Sequence, residues 1–290
     1  MITLDVVCPL YRADEHIDTL IEGLKRQQGV TYGSVVFCIT EEGDTAPVKQ
    51  KITDAGYTYF SVEKSEFSHS LTREKAIYEY CASEVVIMLS QDVKFVEEGA
   101  LFALAEAIDG EVVYAYGKQI CRKKTIEHYV RTKNYGKESQ TVSAADIEKM
   151  QLNAFFASDA FSAYHRDTFL KLNGYDHLHM MMSEDMYYAK KVLDAGYKKA
   201  YVATAVVEHS HKLKLKELYQ RYYATGQWFQ QHPEFDGYKT NETGLKLAFS
   251  VLGRAMLHFN IPVLFRWLPD MAARYLGMKK GKKKGNGNHD

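Results

Sequence analysis

The sequence predicts an α/β fold, a parallel sheet with helices on both faces, followed by a helical C-terminal extension. Three observations predict it. Short apolar runs of strand length alternate with amphipathic stretches through the first half. Polar groups follow the strand ends, where sheets of this kind bind ligands. Beyond about residue 212 the pattern becomes wholly helical.

The elements follow in order. Leu4–Leu10 reads as a buried strand and Glu15–Gln27 as an amphipathic helix. Ser34–Thr40 and Tyr57–Val62 are strands, with a helix over Val48–Ala55 between them. The helix Thr72–Cys81 leads to the strand Glu84–Leu89, which ends in Ser90-Gln91-Asp92. A helix over Val96–Ile108 and a strand over Val112–Tyr116 come next. Lys118–Met150 is polar, rich in lysine and weakly periodic, so a loop-rich excursion is expected. Regular structure resumes at Phe155–Tyr164, with helices at Arg166–Leu172 and Glu184–Ala195, each stopped by a glycine. Ala200–Val207 is a strand ending in Glu208-His209-Ser210-His211. Helices over Lys214–His232 and Gly244–His258 and the apolar-basic segment Ile261–Met278 close the ordered part. Residues 279–290, rich in Lys, Gly and Asn, are expected to be disordered.

Composition excludes several classes. Of 290 residues, 46% are hydrophobic and 26% charged, which argues against wholesale disorder. Lys plus Arg total 37 and so do Asp plus Glu, so no net charge draws the chain to nucleic acid. The basic excess is local, between Lys246 and Lys284. Four separated cysteines without a CxxC pair fit a reducing compartment. The N-terminus lacks the layout of a signal peptide, and no uncharged stretch reaches the ~20 residues of a membrane span. A cytoplasmic location is expected, with attachment to the inner face of the cell membrane as an option.

Four groups could carry chemistry. Asp92, just past an apolar strand, could hold a divalent cation beside phosphate oxygens, or simply cap the next helix. Ser183-Glu184-Asp185 opens a helix: Ser183 suits an N-cap, while Asp185 could be a general base. Adjacent helical residues point about 100° apart, so Glu184 and Asp185 cannot share one task. His209 and His211 lie two residues apart after a strand and could chelate a metal. Phe67–Arg73 offers His69 and Arg73 beside a helix start, suited to phosphate or sugar, or else a capped helix with Thr72 as N-cap. There is no GxGxxG, Walker A, GxSxG or HExxH motif.

In order, VVCPLYRADEHIDTLIEGL (Val6–Leu24), FSHSLTREKAI (Phe67–Ile77), VVIMLSQDV (Val85–Val93), FFASDAFSAYHRDTFLKLNGYD (Phe155–Asp176) and SEDMYYAKKVLDAGYKKAYVATAVVEHSH (Ser183–His211) resemble the inverting family-2 glycosyltransferases. With the closing RYLGMKKGKK, the likeness spans nearly the whole chain and is greatest to the branch containing bacterial rhamnosyltransferases. The resemblance implies a GT-A fold, a Rossmann-like mixed sheet flanked by helices. It implies Asp92 as the acid of the DxD-type element and His209, or His211 in its place, as the second metal ligand, with Mg2+ or Mn2+ as cofactor. Asp185 matches the second residue of the family's ED motif, the catalytic base. Pro9, Tyr11, Arg12 and Glu41 would cradle the nucleotide; His69, Arg73 and Gln91 would line the donor site. Ser183, Glu184, Ser158 and Asp159 would face the acceptor or support those that do. Two segments depart from the pattern: Gln91 and Val93 leave one Asp where a DxD has two, and the loop Thr40-Glu41-Glu42-Gly43-Asp44 lacks the usual Asp-Gly/Asn-Ser pattern.

The implied reaction is inverting transfer of a hexose from a dTDP- or UDP-sugar, dTDP-rhamnose leading, to a glycan or polyprenol-linked acceptor of a cell-surface polysaccharide. The alternative is a weak or inactive sugar-nucleotide-binding scaffold of the same fold. Residues 1–212 are expected to form the catalytic domain, with 1–117 the nucleotide-sugar half and 118–212 the acceptor half. Residues 213–278 would be a helical region serving a membrane surface or a homodimer contact.

Overall fold

The computed structural model describes residues 1–210, 213–239 and 241–283. In chain order the elements are β1 (Ile2–Leu10), α1 (Ile17–Lys25), β2 (Val30–Glu41), α2 (Ala46–Asp54), β3 (Thr58–Glu63), α3 (His69–Tyr80), β4 (Val85–Leu89), β5 (Lys94–Phe95), α4 (Ala100–Ala105) and β6 (Val112–Ile120). They continue with α5 (Ile126–Asn134), β7 (Gln140–Val142), α6 (Ile147–Met150), β8 (Phe161–His165), α7 (Arg166–Lys171), α8 (Glu184–Asp194), β9 (Lys198–Glu208), α9 (Leu215–Gln231), α10 (Asn241–Leu257) and α11 (Ile261–Lys283).

The sheet runs β3-β2-β1-β4-β8-β6-β9-β5, with β7 on β9. Its first half is parallel: β1 pairs with β2 and β4, and β2 with β3. Beyond β4 the sheet becomes mixed, because β8 is antiparallel to both β4 and β6. Apolar side chains such as Leu4, Val6, Phe37, Ile39, Ile87 and Leu89 are buried from water, and Ile17, Leu20, Leu24, Leu101 and Leu104 of α1 and α4 join them in one cluster. Every residue of β4 is buried, as a strand covered on both faces requires.

Asp5 locks the parallel half. The β1–β2 register slips between Leu4 and Val6, and the carboxylate between them is buried. Its Oδ1 accepts from Ser34 N at 2.7 Å and Ser83 Oγ at 2.9 Å. Its Oδ2 accepts from Ala82 N at 2.6 Å and Ser83 N at 2.7 Å. Gly33 makes the room, since a Cβ there would lie 2.6 Å from Asp5 Oδ1.

The chain divides into two units: residues 1–119, 136–148 and 154–209 form the first, and 120–135, 149–153 and 210–290 the second. In the second, α9 and α11 approach closely at glycines. A Cβ on Gly226 would sit 2.9 Å from Gly281 Cα, and one on Gly277 would meet Tyr219 O at 2.6 Å. The only acid of α11, Asp270, is buried and accepts from Arg274 Nε at 2.6 Å.

Several boundaries differ from expectation. The helix expected over Val96–Ile108 shrinks to Ala100–Ala105, because Lys94 and Phe95 pair with Glu208 and Val207 and Val96 N donates to Val206 O. The stretch read as loop-rich contains α5, whose Ile126, Tyr129 and Val130 are buried in the second unit; its lysines obscure that i, i+3, i+4 spacing. The helix α11 carries through Lys283, so residues 279–283 are not disordered. Lys282 Nζ lies 4.9 Å over the Phe229 ring, and the remainder of the tail falls outside the described residues.

Asp5→Ala leaves three backbone N–H groups without their acceptor and should destabilise the protein by about 3 kcal/mol. Urea unfolding is expected to show a lower midpoint with an unchanged slope; an unaltered midpoint would refute the lock.

Candidate functional site

One edge of the sheet collects the polar groups. β1, β2 and β4 run in the same direction. β6 shares it, because β8 opposes both β4 and β6. The segments after β1, β2, β4 and β6 therefore meet at the carboxyl edge, where ligands of α/β sheets bind.

At that edge Gln91 clamps the loop after β1: its Oε1 accepts from Tyr11 N at 2.7 Å and its Nε2 donates to Tyr11 O at 2.9 Å. Pro9 is buried within β1. Arg12, at φ 48°, turns out to donate to Glu42 at 2.7 Å, and Lys64 reaches the same carboxylate at 2.8 Å. The hydrogen bond from Lys64, then those from Tyr11 and Arg12, hold Glu42 down at about 2. Arg12 and Lys64 both lie over the Tyr11 ring, at 5.4 and 5.8 Å, and Tyr11 itself is 40% exposed. Glu41 is engaged by Lys49 and Ser61 and by Thr45 at 2.7 Å. These bonds, Lys49 first, hold its carboxyl at about 2. Its oxygens order the loop after β2.

The two-residue strand β5 brings Asp92 to His209. Lys94 pairs with Glu208 and Phe95 with Val207, which sets Asp92 Oδ1 3.1 Å from His209 Nε2. On the other side of the imidazole, Nδ1 lies 2.8 Å from Gln119 Oε1, at the end of β6. Because that oxygen only accepts, Nδ1 carries the proton. In the neutral ring Nε2 then turns a lone pair toward a carboxylate oxygen, and two acceptors at that distance require a proton or a cation between them. One imidazole nitrogen and one carboxylate, with an outer partner that fixes the tautomer, are group types that can hold a divalent metal, and without one they form an ion pair when the ring is protonated. Among the described residues no group of three or more His, Cys, Asp or Glu converges on a metal position. Among the described residues Asp92 and His209 are thus the two candidates brought together, and His211 lies outside those residues.

A second constellation surrounds α8. Arg73, one turn into α3, is buried and donates to Glu184 Oε1 at 2.7 Å. Its Nη1 also lies 3.0 Å from His69 Nδ1. Burial pushes the Glu184 carboxyl up to about 7, although Arg73 acts against the rise. Burial opposes the charge on Arg73, yet Glu184 and Asp159 outweigh it and hold the guanidinium's pKa up. Beside this pair, burial first, then the charges of Glu184 and Asp159, raise Asp185 well above the carboxylate range. Asp185 Oδ1 accepts from Met186 N at 2.7 Å.

Asp159 anchors a set of buried tyrosines. It accepts from Tyr164 at 2.6 Å, Ser162 at 2.7 Å, Tyr114 at 2.9 Å and Tyr175 at 3.0 Å. Tyr188 of α8 packs against Tyr114 and Tyr164, with ring centroids 5.3 and 5.0 Å away. Ser158 precedes this hub, and its carbonyl accepts from Phe161 N.

Three sequence-based roles are corrected. Ser183 is not a side-chain cap: it sits at φ 61°, ψ 17°, and this left-handed entry turns its hydroxyl away from the first helical N–H groups. Such strain in a non-glycine residue costs of order 1–3 kcal/mol and concentrates at functional turns. The cap of α3 is Ser68, which accepts from Leu71 N at 3.0 Å, not Thr72, because α3 begins one turn earlier than expected. Arg73 is enclosed in its ion pair and holds α3 to α8 instead of lining the donor site with an open guanidinium. Sequence reasoning missed Gln119 and the tyrosines. The available signal was Tyr114 and Tyr164 inside apolar strands, since a buried phenol needs a partner.

The sequence is 30% identical over 96% of the chain, and 89% of the relative, to O-antigen chain rhamnosyltransferase RfbN of Salmonella typhimurium. It is 32% identical over 76% of the chain, and 71% of the relative, to O-antigen chain rhamnosyltransferase WbaN of Salmonella anatum. The chain belongs to the O-antigen rhamnosyltransferase family. No protein-family model matches it. Among solved structures, the mannosyltransferase PcManGT of Pyrobaculum calidifontis, in complex with GDP-Man and Mn2+, aligns with a TM-score of 0.62 at 14% identity, covering 96% of this chain and 86% of that one. TarS of S. aureus aligns with a TM-score of 0.56 at 12% identity, over 94% of this chain and 55% of its own. These likenesses give this rhamnosyltransferase relative a GT-A-type glycosyltransferase fold, and its family acts in polysaccharide synthesis.

Removing either partner of a buried ion pair strands the other charge. Arg73→Met and Glu184→Leu are each expected to cost about 3–5 kcal/mol, and the double variant to regain most of it. A double-mutant cycle in urea checks this; additive losses would mean the two residues are not coupled.

Proposed function

We propose that this chain transfers rhamnose from dTDP-rhamnose, with inversion, to a hydroxyl of a glycan or polyprenol-linked acceptor, and that Mg2+ or Mn2+ is its cofactor. The observation that carries the metal reading is the Asp92–His209 pair with Gln119 behind the imidazole. The curated names of the relatives support the sugar, and the Mn2+ in the mannosyltransferase complex supports the ion.

In this reading Asp185 takes the proton of the acceptor hydroxyl. A carboxylate raised by burial and by two neighbouring acids is a stronger base than one in water. The acceptor oxygen bonds to the anomeric carbon as the bond to the nucleotide diphosphate breaks on the opposite face. One displacement inverts configuration and forms no sugar–enzyme intermediate. Asp92 and His209 would hold the ion, which when bound neutralises charge developing on the diphosphate. Tyr11, Pro9 and Arg12 would receive the nucleotide, with Gln91 fixing the loop that carries two of them. His69 would face the donor from the start of α3, and Glu184 would hold the helix that bears the base.

Asp185→Asn should lower kcat by about 10²–10⁴ while donor binding persists. The base must be ionised to act. In the parent, kcat/KM should therefore rise with pH through a value above the ordinary carboxylate range and be flat above it. A limb near pH 4, or full turnover of dTDP-rhamnose by the Asn variant, would remove Asp185 from this role. Assays with UDP-glucose, UDP-galactose and UDP-N-acetylglucosamine beside dTDP-rhamnose name the donor; binding of one without turnover on any acceptor would favour the scaffold alternative.

Gln119→Leu frees the imidazole to change tautomer and should weaken Mn2+ binding about 10–100-fold. Electron paramagnetic resonance titration of free Mn2+, without any donor, reads this directly. Unchanged affinity would exclude Gln119 from the site.

A further inference from the structure

The helices α10 and α11 are apolar on two sides. Inward, Val251 and Ala255 of α10 and Val263 of α11 are buried with Ile126, Tyr129 and Val130 of α5, and Leu247 and Trp267 pack against them. Trp267 Nε1 donates to Ala248 O at 2.9 Å, joining the two helices. An ordinary surface helix would present polar residues on the opposite face. Here that face carries Phe249, Met256, Ile261, Phe265 and Leu268, 54–81% exposed and recurring at helical spacing along each helix. Apolar groups massed this way mark a surface that meets another phase or partner.

The turn between the helices is built unusually. Asn260 N donates to Ala255 O at 2.9 Å and Phe259 N to Met256 O at 3.0 Å. This is the paired closure of a helix end whose left-handed residue is ordinarily glycine. The position is held by Phe259, at φ 48° and 86% exposed. Asn260 Nδ2 fixes the turn by donating to Lys124 O at 2.7 Å. The fold thus retains a strained aromatic where glycine would be relaxed, and it points that ring at solvent.

Beyond Glu242 in the first turn of α10, the exposed charge along the two helices is of one sign, with four lysines gathered at the end of α11 about 30 Å from the turn. Asp270 is the only acid between residues 244 and 283, and it is buried against Arg274. The exposed charges in that stretch are Lys246, Arg266, Lys279, Lys280, Lys282 and Lys283. Anionic phospholipid meets both features at once: its acyl boundary takes the apolar side chains and its phosphates take the lysines.

We infer that the outward face of α10 and α11, from Phe259 at their turn to the lysines that close α11, lies along an anionic membrane surface and anchors the protein there. The anchor lies in the interface and does not cross it, for among the described residues no helix is long and apolar enough to span a bilayer. The inference goes beyond the transfer reaction and stands whichever donor is used.

The test is co-sedimentation of the full chain with vesicles of phosphatidylcholine alone or mixed with phosphatidylglycerol. Binding should favour the anionic vesicles and fall as salt is added. Phe259→Gly relaxes the turn, so its melting temperature should rise while vesicle partitioning drops about tenfold. Lys279→Gln and Lys280→Gln should each weaken binding to anionic vesicles about fivefold and leave the neutral ones unaffected. A Phe259→Gly protein that melts higher yet binds vesicles as before would overturn the anchor. So would a chain that ignores both vesicles and sediments as a dimer dissociated by Phe265→Ser, which would assign the face to a second copy.

Discussion

The buried contact between Arg73 and Glu184 is the constraint from which the acid-rich half of the site takes its shape. It joins α3, which lies between β3 and β4 in the parallel half, to α8, which lies between β8 and β9 in the mixed half. Neither charge can leave its partner without standing alone in the interior, so the start of α8 has little freedom to shift. A pair of matched apolar side chains could hold the helices together as firmly. It would not fix one angular setting, and the angular setting decides where Asp185 points. The tyrosines around Asp159 add a second restraint through Tyr188, and the left-handed turn at Ser183 is the local strain that this fixed entry sustains.

The other half of the site depends on economy of a different kind. Two residues of β5 suffice to carry Asp92 from the end of β4 to the end of β9. Gln119 arrives because β6 runs on past Tyr116, the residue at which its apolar pattern fades. The result is an imidazole held from both sides by groups distant in sequence, which gives its two nitrogens different tasks.

Much of this was legible in the residues. Apolar runs gave strands one to four, and glycines at 174 and 196 marked the ends of α7 and α8. Asp92, Asp185 and His209 could be singled out because each follows a strand or opens a helix. The change from a parallel to a mixed sheet was implied only by resemblance, since strand direction leaves no periodicity. Gln119 was hidden because an amide in a polar stretch looks like any surface amide. Arg73 was misjudged for a related reason: a guanidinium near a helix start suits phosphate as well as a buried carboxylate, and only the position of Glu184 decides between them. The α5 helix was obscured by lysines that flank a short apolar stripe.

The shape of the second unit bears on how this protein can be cut or recombined. Its apolar cluster is assembled from α10, α11 and an internal segment, α5, that the chain lays down long before either. A chain ended after β9 would keep Ile126, Tyr129 and Val130 but lose the apolar side chains of α10 and α11 that are buried with them. The C-terminal helices are therefore no detachable module that could be exchanged between relatives at a single junction. A swap that respects the fold must carry the segment around α5 along with the tail, and recombination at one crossover would yield chains prone to aggregate.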